Sequence, residues 1–194
     1  MKGGLEPEME IKNWLLTGRP GVGKTTLIRL LLSSLRVRAG GFLTEEIREQ
    51  GERVGFRLRD LEGKEGILAH VSFPGPCRVG RYGVRVETME EIGVPALRRA
   101  VAERELVIVD EIGRMELFCP PFREEIQRAL DAATPLLGVV QQRSLYLFPD
   151  LPYRPDTRIW EVSPSNRDWL GPELRRSLLA AYPHWAGAGG GKEG

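Results

Sequence analysis

The stretch that decides the fold class is IKNWLLTGRPGVGKTTLIRL, residues 11–30. Ile11 to Leu16 is short and apolar, as a buried strand is, and TLIRLLLSSL (26–35) repeats apolar residues at helical spacing. Between them Gly18-Arg19-Pro20-Gly21-Val22-Gly23-Lys24-Thr25 satisfies the spacing GxxxxGK[ST], with Thr26 following. Gly21 and Gly23 carry no Cβ, so the loop can turn successive N–H groups inward around an anion. Helix entry at Lys24 adds the positive end of the helix dipole. The Lys24 ammonium then suits the β- and γ-phosphates of a nucleoside triphosphate, and the Thr25 hydroxyl suits Mg²⁺. Gly18, Arg19, Pro20, Gly21, Val22, Gly23, Lys24, Thr25 and Thr26 are therefore expected around the ligand, with Lys24 also assisting the chemistry. A glycine turn that only caps a helix does not explain why Lys and Thr follow directly.

A second motif has matching logic. Leu106-Val107-Ile108-Val109-Asp110-Glu111 is an apolar strand that ends in two carboxylates. A buried parallel strand delivers side chains at its carboxyl end into the crevice where ligands bind. Asp110 is expected to hold Mg²⁺ through water, and Glu111 to orient and deprotonate an attacking water. Side chains alternate along a regular strand, so the two carboxylates should face differently and act differently. Val107, Ile108, Val109, Ile112, Gly113 and Arg114 are counted with them as residues around the nucleotide.

Outward from these motifs, strand and helix patterns alternate. Val94, Leu97, Ala100 and Val101 mark one helix, and Phe122, Ile126 and Leu130 another that ends before Pro135. Leu136 to Val140 and Arg158 to Val162 read as strands, and Leu174, Leu178 and Ala181 as a last helix. The fold class is α/β, a three-layer arrangement of a mainly parallel sheet flanked by helices. GFLTEEIRE, RVGFRLRDL and EGILAH, separated by Gly51-Glu52 and Glu62-Gly63, predict an antiparallel meander inserted after the first helix, with GRYGVRV (80–86) as a further strand. The expected organisation is one domain over residues 9–185, a β-rich insertion over 41–86, and disordered tails at 1–8 and 186–194. Phe148 to Asp156 is proline-rich and reads as a loop.

Composition narrows the function classes. The 41% hydrophobic and 28% charged residues are ordinary for a folded globular protein, which argues against disordered and fibrous classes. With 28 basic and 27 acidic residues the net charge is +1, which counts against extended nucleic-acid contact. Cys77 and Cys119 lack CxxC spacing and only His70 and His184 could join them, so a zinc site is not expected. No apolar run reaches the roughly 20 residues of a membrane span, and the first ten residues are too polar for a signal peptide. A soluble, cytoplasmic protein, monomeric or weakly oligomeric and without membrane contact, is the expectation.

TGRPGVGKTTL (17–27), GFLTEEIREQGERVGF (41–56), VGRYGV (79–84), VDEIGRMELF (109–118) and SNRD (165–168) together resemble the small P-loop nucleoside-triphosphatases first described from thermophiles, relatives of the human cancer-related nucleoside-triphosphatase. The resemblance covers nearly the whole core. It implies Mg²⁺-dependent hydrolysis of the terminal phosphate of ATP, GTP and other triphosphates, slow and tolerant of the base. Lys24, Thr25, Asp110 and Glu111 carry over onto the family pattern. Glu116 and Arg114 fall inside the signature, with Arg114 in place of an expected Lys, which keeps the charge and changes its geometry. Gln141 and Gln142 follow the strand LLGVV where related ATPases place a polar sensor of the γ-phosphate, although the family often has His there. Arg143, Arg48 and Arg53 are candidates for an arginine finger, against the commoner case of a solvated surface Arg. Asn166 and Asp168 are candidates for base contact, against a helix-capping role of equal weight.

Two other classes share the phosphate loop. A nucleotide or nucleoside kinase needs an acceptor pocket and an Arg-rich lid, for which the meander is a candidate. A nucleotide-gated binding module, acting on RNA for example, would use turnover only to reset. Glu111 beside Asp110 favours the hydrolase.

Overall fold

A computed structural model of the chain describes residues 10–187. The expected tails, apart from Ala186 and Gly187, lie outside the described residues. The elements are β1 (Asn13–Thr17), α1 (Lys24–Ser34), β2 (Ala39–Glu49), β3 (Glu52–Asp60), β4 (Glu65–His70), β5 (Arg78–Val79), β6 (Tyr82–Val84), α2 (Val86–Thr88), α3 (Val94–Glu103), β7 (Leu106–Ile112), α4 (Pro120–Asp131), β8 (Leu136–Val140), β9 (Thr157–Glu161) and α5 (Arg167–Ala181). Among the described residues the strands form one sheet in the order β5-β6-β4-β3-β2-β7-β8-β1-β9. β2, β7, β8, β1 and β9 are parallel, and the strands beyond β2 are antiparallel.

The parallel strands are apolar throughout because both faces are covered. Trp14, Leu16, Ile108, Leu137 and Val139 point to the layer of α1 and α5, where they meet Leu27, Ile28, Leu31, Leu170, Leu174 and Leu178. Leu15, Val107, Val109, Leu136 and Val140 point to the other layer, with Leu97, Phe122 and Ile126 of α3 and α4. Phe42 of β2 meets Phe122 edge to face at 5.8 Å between ring centroids. Each buried aliphatic side chain contributes about 1.5–3 kcal/mol, and this packed parallel centre carries the loops that follow it.

The antiparallel meander follows α1, and its first strand also belongs to the core: β2 pairs in parallel with β7 through Ala39 to Phe42 and then continues as the partner of β3 from Phe42 to Glu49. One strand thus joins the core to the meander. GRYGVRV, expected as one strand, is instead the turn and second arm of a hairpin: Gly80 at φ 58° reverses the chain between β5 and β6. Between α2 and α3 the helix widens to a π-turn over Met89–Gly93.

Candidate active site

The phosphate loop leaves β1 at the carboxyl edge of the sheet, beside the ends of β8 and β9. Gly18, at φ 137°, lies flat against β9: a Cβ there would stand 2.3 Å from the Val162 carbonyl oxygen. Gly23 caps α1 in the left-handed region at φ 106°, and the Leu27 amide bonds its carbonyl at 2.9 Å. The first-turn amides of Lys24, Thr25 and Thr26 therefore have no intrahelical acceptor and point out of the helix end, as an anion requires. Lys24 is buried, and its Nζ donates to the carbonyls of Gly18 and Arg19, each at 3.0 Å. Arg19, Pro20, Gly21 and Thr26 are exposed, while Val22 is packed into the core beneath the loop.

Opposite the loop stand Asp110 and Glu111. Val109 pairs with Gly138 and Ile112 with Val140, so β7 carries one more residue than β8 across this step. That bulge removes the regular alternation on which the sequence reading relied to face the two carboxylates differently. Val107, Ile108, Val109 and Ile112 are fully buried and Gly113 is buried. The side chains of the four apolar residues are packed into the core, where they fix the position of the two carboxylates, and Gly113 lies against Glu111 and Gln141.

Asp110 is 2% exposed, and its backbone carbonyl accepts the Thr44 hydroxyl at 2.6 Å, which ties β2 to the site. Burial pushes its carboxyl up to about 7, helped by the charge of Glu111 and opposed by the Thr25 hydroxyl and the charges of Lys24 and Arg29. Burial likewise raises Glu111, against a hydrogen bond from Gln141 and the Lys24 charge. A carboxyl raised on folding favours the folded state while protonated, so this stabilisation is complete below about 3.8 and is lost as pH rises through about 7. The urea midpoint of the metal- and ligand-free protein is expected to be lower at pH 8 than at pH 5, and the difference to shrink in Asp110→Asn. Equal pH dependence in parent and variant would contradict the placement of Asp110.

Gln141 links the parts. Its Nε2 donates to Glu111 Oε1, its Oε1 accepts the Arg114 amide at 3.2 Å, and its own amide bonds the Ile112 carbonyl at 3.1 Å. Arg114 itself is exposed. Gln142 and Arg143 are exposed on the 3₁₀ turn that follows β8. Arg48 and Arg53 sit near the tip of the β2–β3 hairpin, paired with Glu46 at 2.6 and 2.7 Å, and Arg53 also donates to the Tyr82 hydroxyl at 3.1 Å. Asn166 accepts the Ser163 amide and donates to the Glu161 carbonyl, both at 2.8 Å, so its carboxamide shapes the loop before α5. Asp168 projects from the first turn of α5 and lies 3.6 Å from Arg167.

Among the described residues no group of three His, Cys, Asp or Glu side chains converges as a metal cage. The donors that fit a hard cation are Thr25 and Asp110, whose Oδ2 is buried with no hydrogen-bond partner. One carboxylate and one hydroxyl suit Mg²⁺, which keeps waters and takes phosphate oxygens as ligands. Sequence reasoning missed Thr44, the Gln141–Glu111 bond and the burial of Glu116. The last had a visible signal, a lone carboxylate among Met115, Leu117 and Phe118.

A protein-family model described as NTPase matches residues 13–174. The chain is 46% identical over 160 residues to nucleoside-triphosphatase THEP1 of Thermotoga sp. (strain RQ2), covering 82% of this chain and 91% of that protein. It is also 46% identical over 178 residues to nucleoside-triphosphatase THEP1 of Thermofilum pendens, covering 89% and 98%. The crystal structure of THEP1 from the hyperthermophile Aquifex aeolicus superposes with a TM-score of 0.76 at 36% identity, over 84% of this chain and 96% of that one. The solution structure of a human cancer-related nucleoside triphosphatase gives 0.72 at 34% identity, over 89% and 98%.

Proposed function

Because the chain belongs to the nucleoside-triphosphatase family and is an NTP-hydrolysing enzyme, we propose that it cleaves the terminal phosphate of ATP, GTP and other triphosphates, depends on Mg²⁺ and discriminates little between bases. The observation that carries the reading is the convergence of Lys24 and Thr25 on one side and Asp110, Glu111 and Gln141 on the other, at the carboxyl edge of one sheet.

The loop amides and Lys24 bind the β- and γ-phosphates, Lys24 exchanging its loop carbonyls for phosphate oxygens. Thr25 and Asp110 hold Mg²⁺, which when bound neutralises charge on the phosphate oxygens. Glu111 accepts a proton from the attacking water, and Gln141 fixes the carboxylate that does so. Weak base selection fits Asn166, because strong discrimination requires side chains free to hydrogen-bond the base and its carboxamide is committed to its own loop. Free Cys77 and Cys119 agree with a cytoplasmic location, and no described helix is long and apolar enough to cross a membrane.

Phosphate release from ATP, GTP, CTP and UTP, each with Mg²⁺ and with excess EDTA, tests the reading. The four kcat/KM values are expected within about tenfold of one another, and EDTA should abolish release. Preference for one base by more than about a hundredfold would defeat base tolerance, and full release in EDTA would defeat the metal assignment.

A further inference from the structure

Glu116 has no part in the chemistry above, yet it is buried as deeply as Asp110. It opens the 3₁₀ turn Glu116–Phe118 directly after the acidic end of β7 and is 2% exposed. Its Oε2 has no hydrogen-bond partner. It is aimed at the reacting groups: a Cβ on Gly113 would lie 2.8 Å from Glu116 Oε2, 2.8 Å from Glu111 Oε1 and 2.7 Å from Gln141 Nε2. Three polar groups thus converge on the bare Cα of Gly113, and two of them are already bonded to each other. Burying a charge with no cationic or side-chain partner costs several kcal/mol, so an ionised Glu116 in that place carries a penalty, whereas a carboxylic acid there has a proton to give.

We propose that Glu116 is a positioning residue for hydrolysis, a neutral acid whose O–H donates to the Glu111 carboxylate and, with Gln141, holds it in one orientation for proton abstraction from water. Burial drives the Glu116 carboxyl well above the ordinary carboxylate range, and the charges of Glu111 and Asp110 act in the same direction, opposed by hydrogen bonds from the Glu116 and Gly113 amides. The apolar neighbours have a use in this arrangement: Met115 and Leu117 pack against the core and carry the turn that sets the carboxyl under Gly113. A glycine at 113 follows from the same arrangement, since any side chain there would separate the acid from its acceptor. The inference rests on Glu111 acting as the base.

Glu116→Gln and Glu116→Asp separate a neutral donor from an anion. The amide of Gln is a donor of nearly the same reach, whereas Asp keeps the acid and loses the reach. Glu116→Gln is expected to keep kcat within about threefold, and Glu116→Asp to lower it by at least about tenfold with KM within about threefold. The reverse order, parental kcat in both variants, or a loss confined to KM would overturn the proposal. Glu111→Gln measured in the same assay keeps the two readings apart. If it is inactive while both Glu116 variants are parental, only the inference fails. If it is fully active, the role of Glu111 fails first.

Discussion

Lys24→Ala is expected to lower kcat/KM for every triphosphate by about a thousandfold or more, with both binding and turnover affected. The ammonium is buried under the loop, within reach of two loop carbonyls, and is aimed where phosphate charge accumulates during transfer. Truncation removes that charge and also leaves the Gly18 and Arg19 carbonyls without their donor, which loosens the loop. Steady-state kinetics with a urea titration of the same preparation checks both parts. A folded variant with parental kcat/KM would remove the loop from the mechanism.

Glu111→Gln is expected to act on one step only. Gln keeps an oxygen to accept from Gln141 Nε2, so the local geometry is retained while the proton acceptor is lost. Loss of a positioned general base costs about a hundredfold to ten-thousandfold in kcat. Binding should not suffer, because removing the Glu111 charge relieves the repulsion that helps to raise Asp110, and Asp110 then ionises more readily. The pairing of lost turnover with kept affinity distinguishes a base from a residue that merely shapes the site.

What the sequence revealed of this site was the part whose chemistry demands fixed spacing. Gly18 to Thr25 had to be contiguous for a backbone cradle to run straight into a helix, and Val107 to Glu111 had to be an apolar strand with an acidic end. What it concealed depended on partners distant in the chain. Whether β2 joined the meander or the parallel core turned on β7, more than sixty residues on, and both proved true. The bulge at Asp110–Glu111 is invisible in a local pattern, because it is defined by the register with β8. Gln141 was singled out by its place after an apolar strand, but its bond to Glu111 could not be. The apolar residues of β7 were counted around the ligand because they flank the acidic pair, and their side chains are packed between the two helical layers.

Three buried carboxyls lie on β7 and the turn that follows it. Asp110 faces Thr25, Glu111 meets Gln141, and Glu116 returns from the 3₁₀ turn to lie beside Gly113 and Glu111. Burial opposes ionisation of all three, so the site is tuned by enclosure, with Lys24 partly offsetting the cost at Asp110 and Glu111.

The most direct test of the central claim is a single-turnover measurement of phosphate release from Mg²⁺-ATP by Glu111→Gln, with ATP affinity determined on the same sample. The account predicts affinity within about threefold of the parent and release slowed by at least about a hundredfold. Parental release by a variant that binds ATP normally would contradict it.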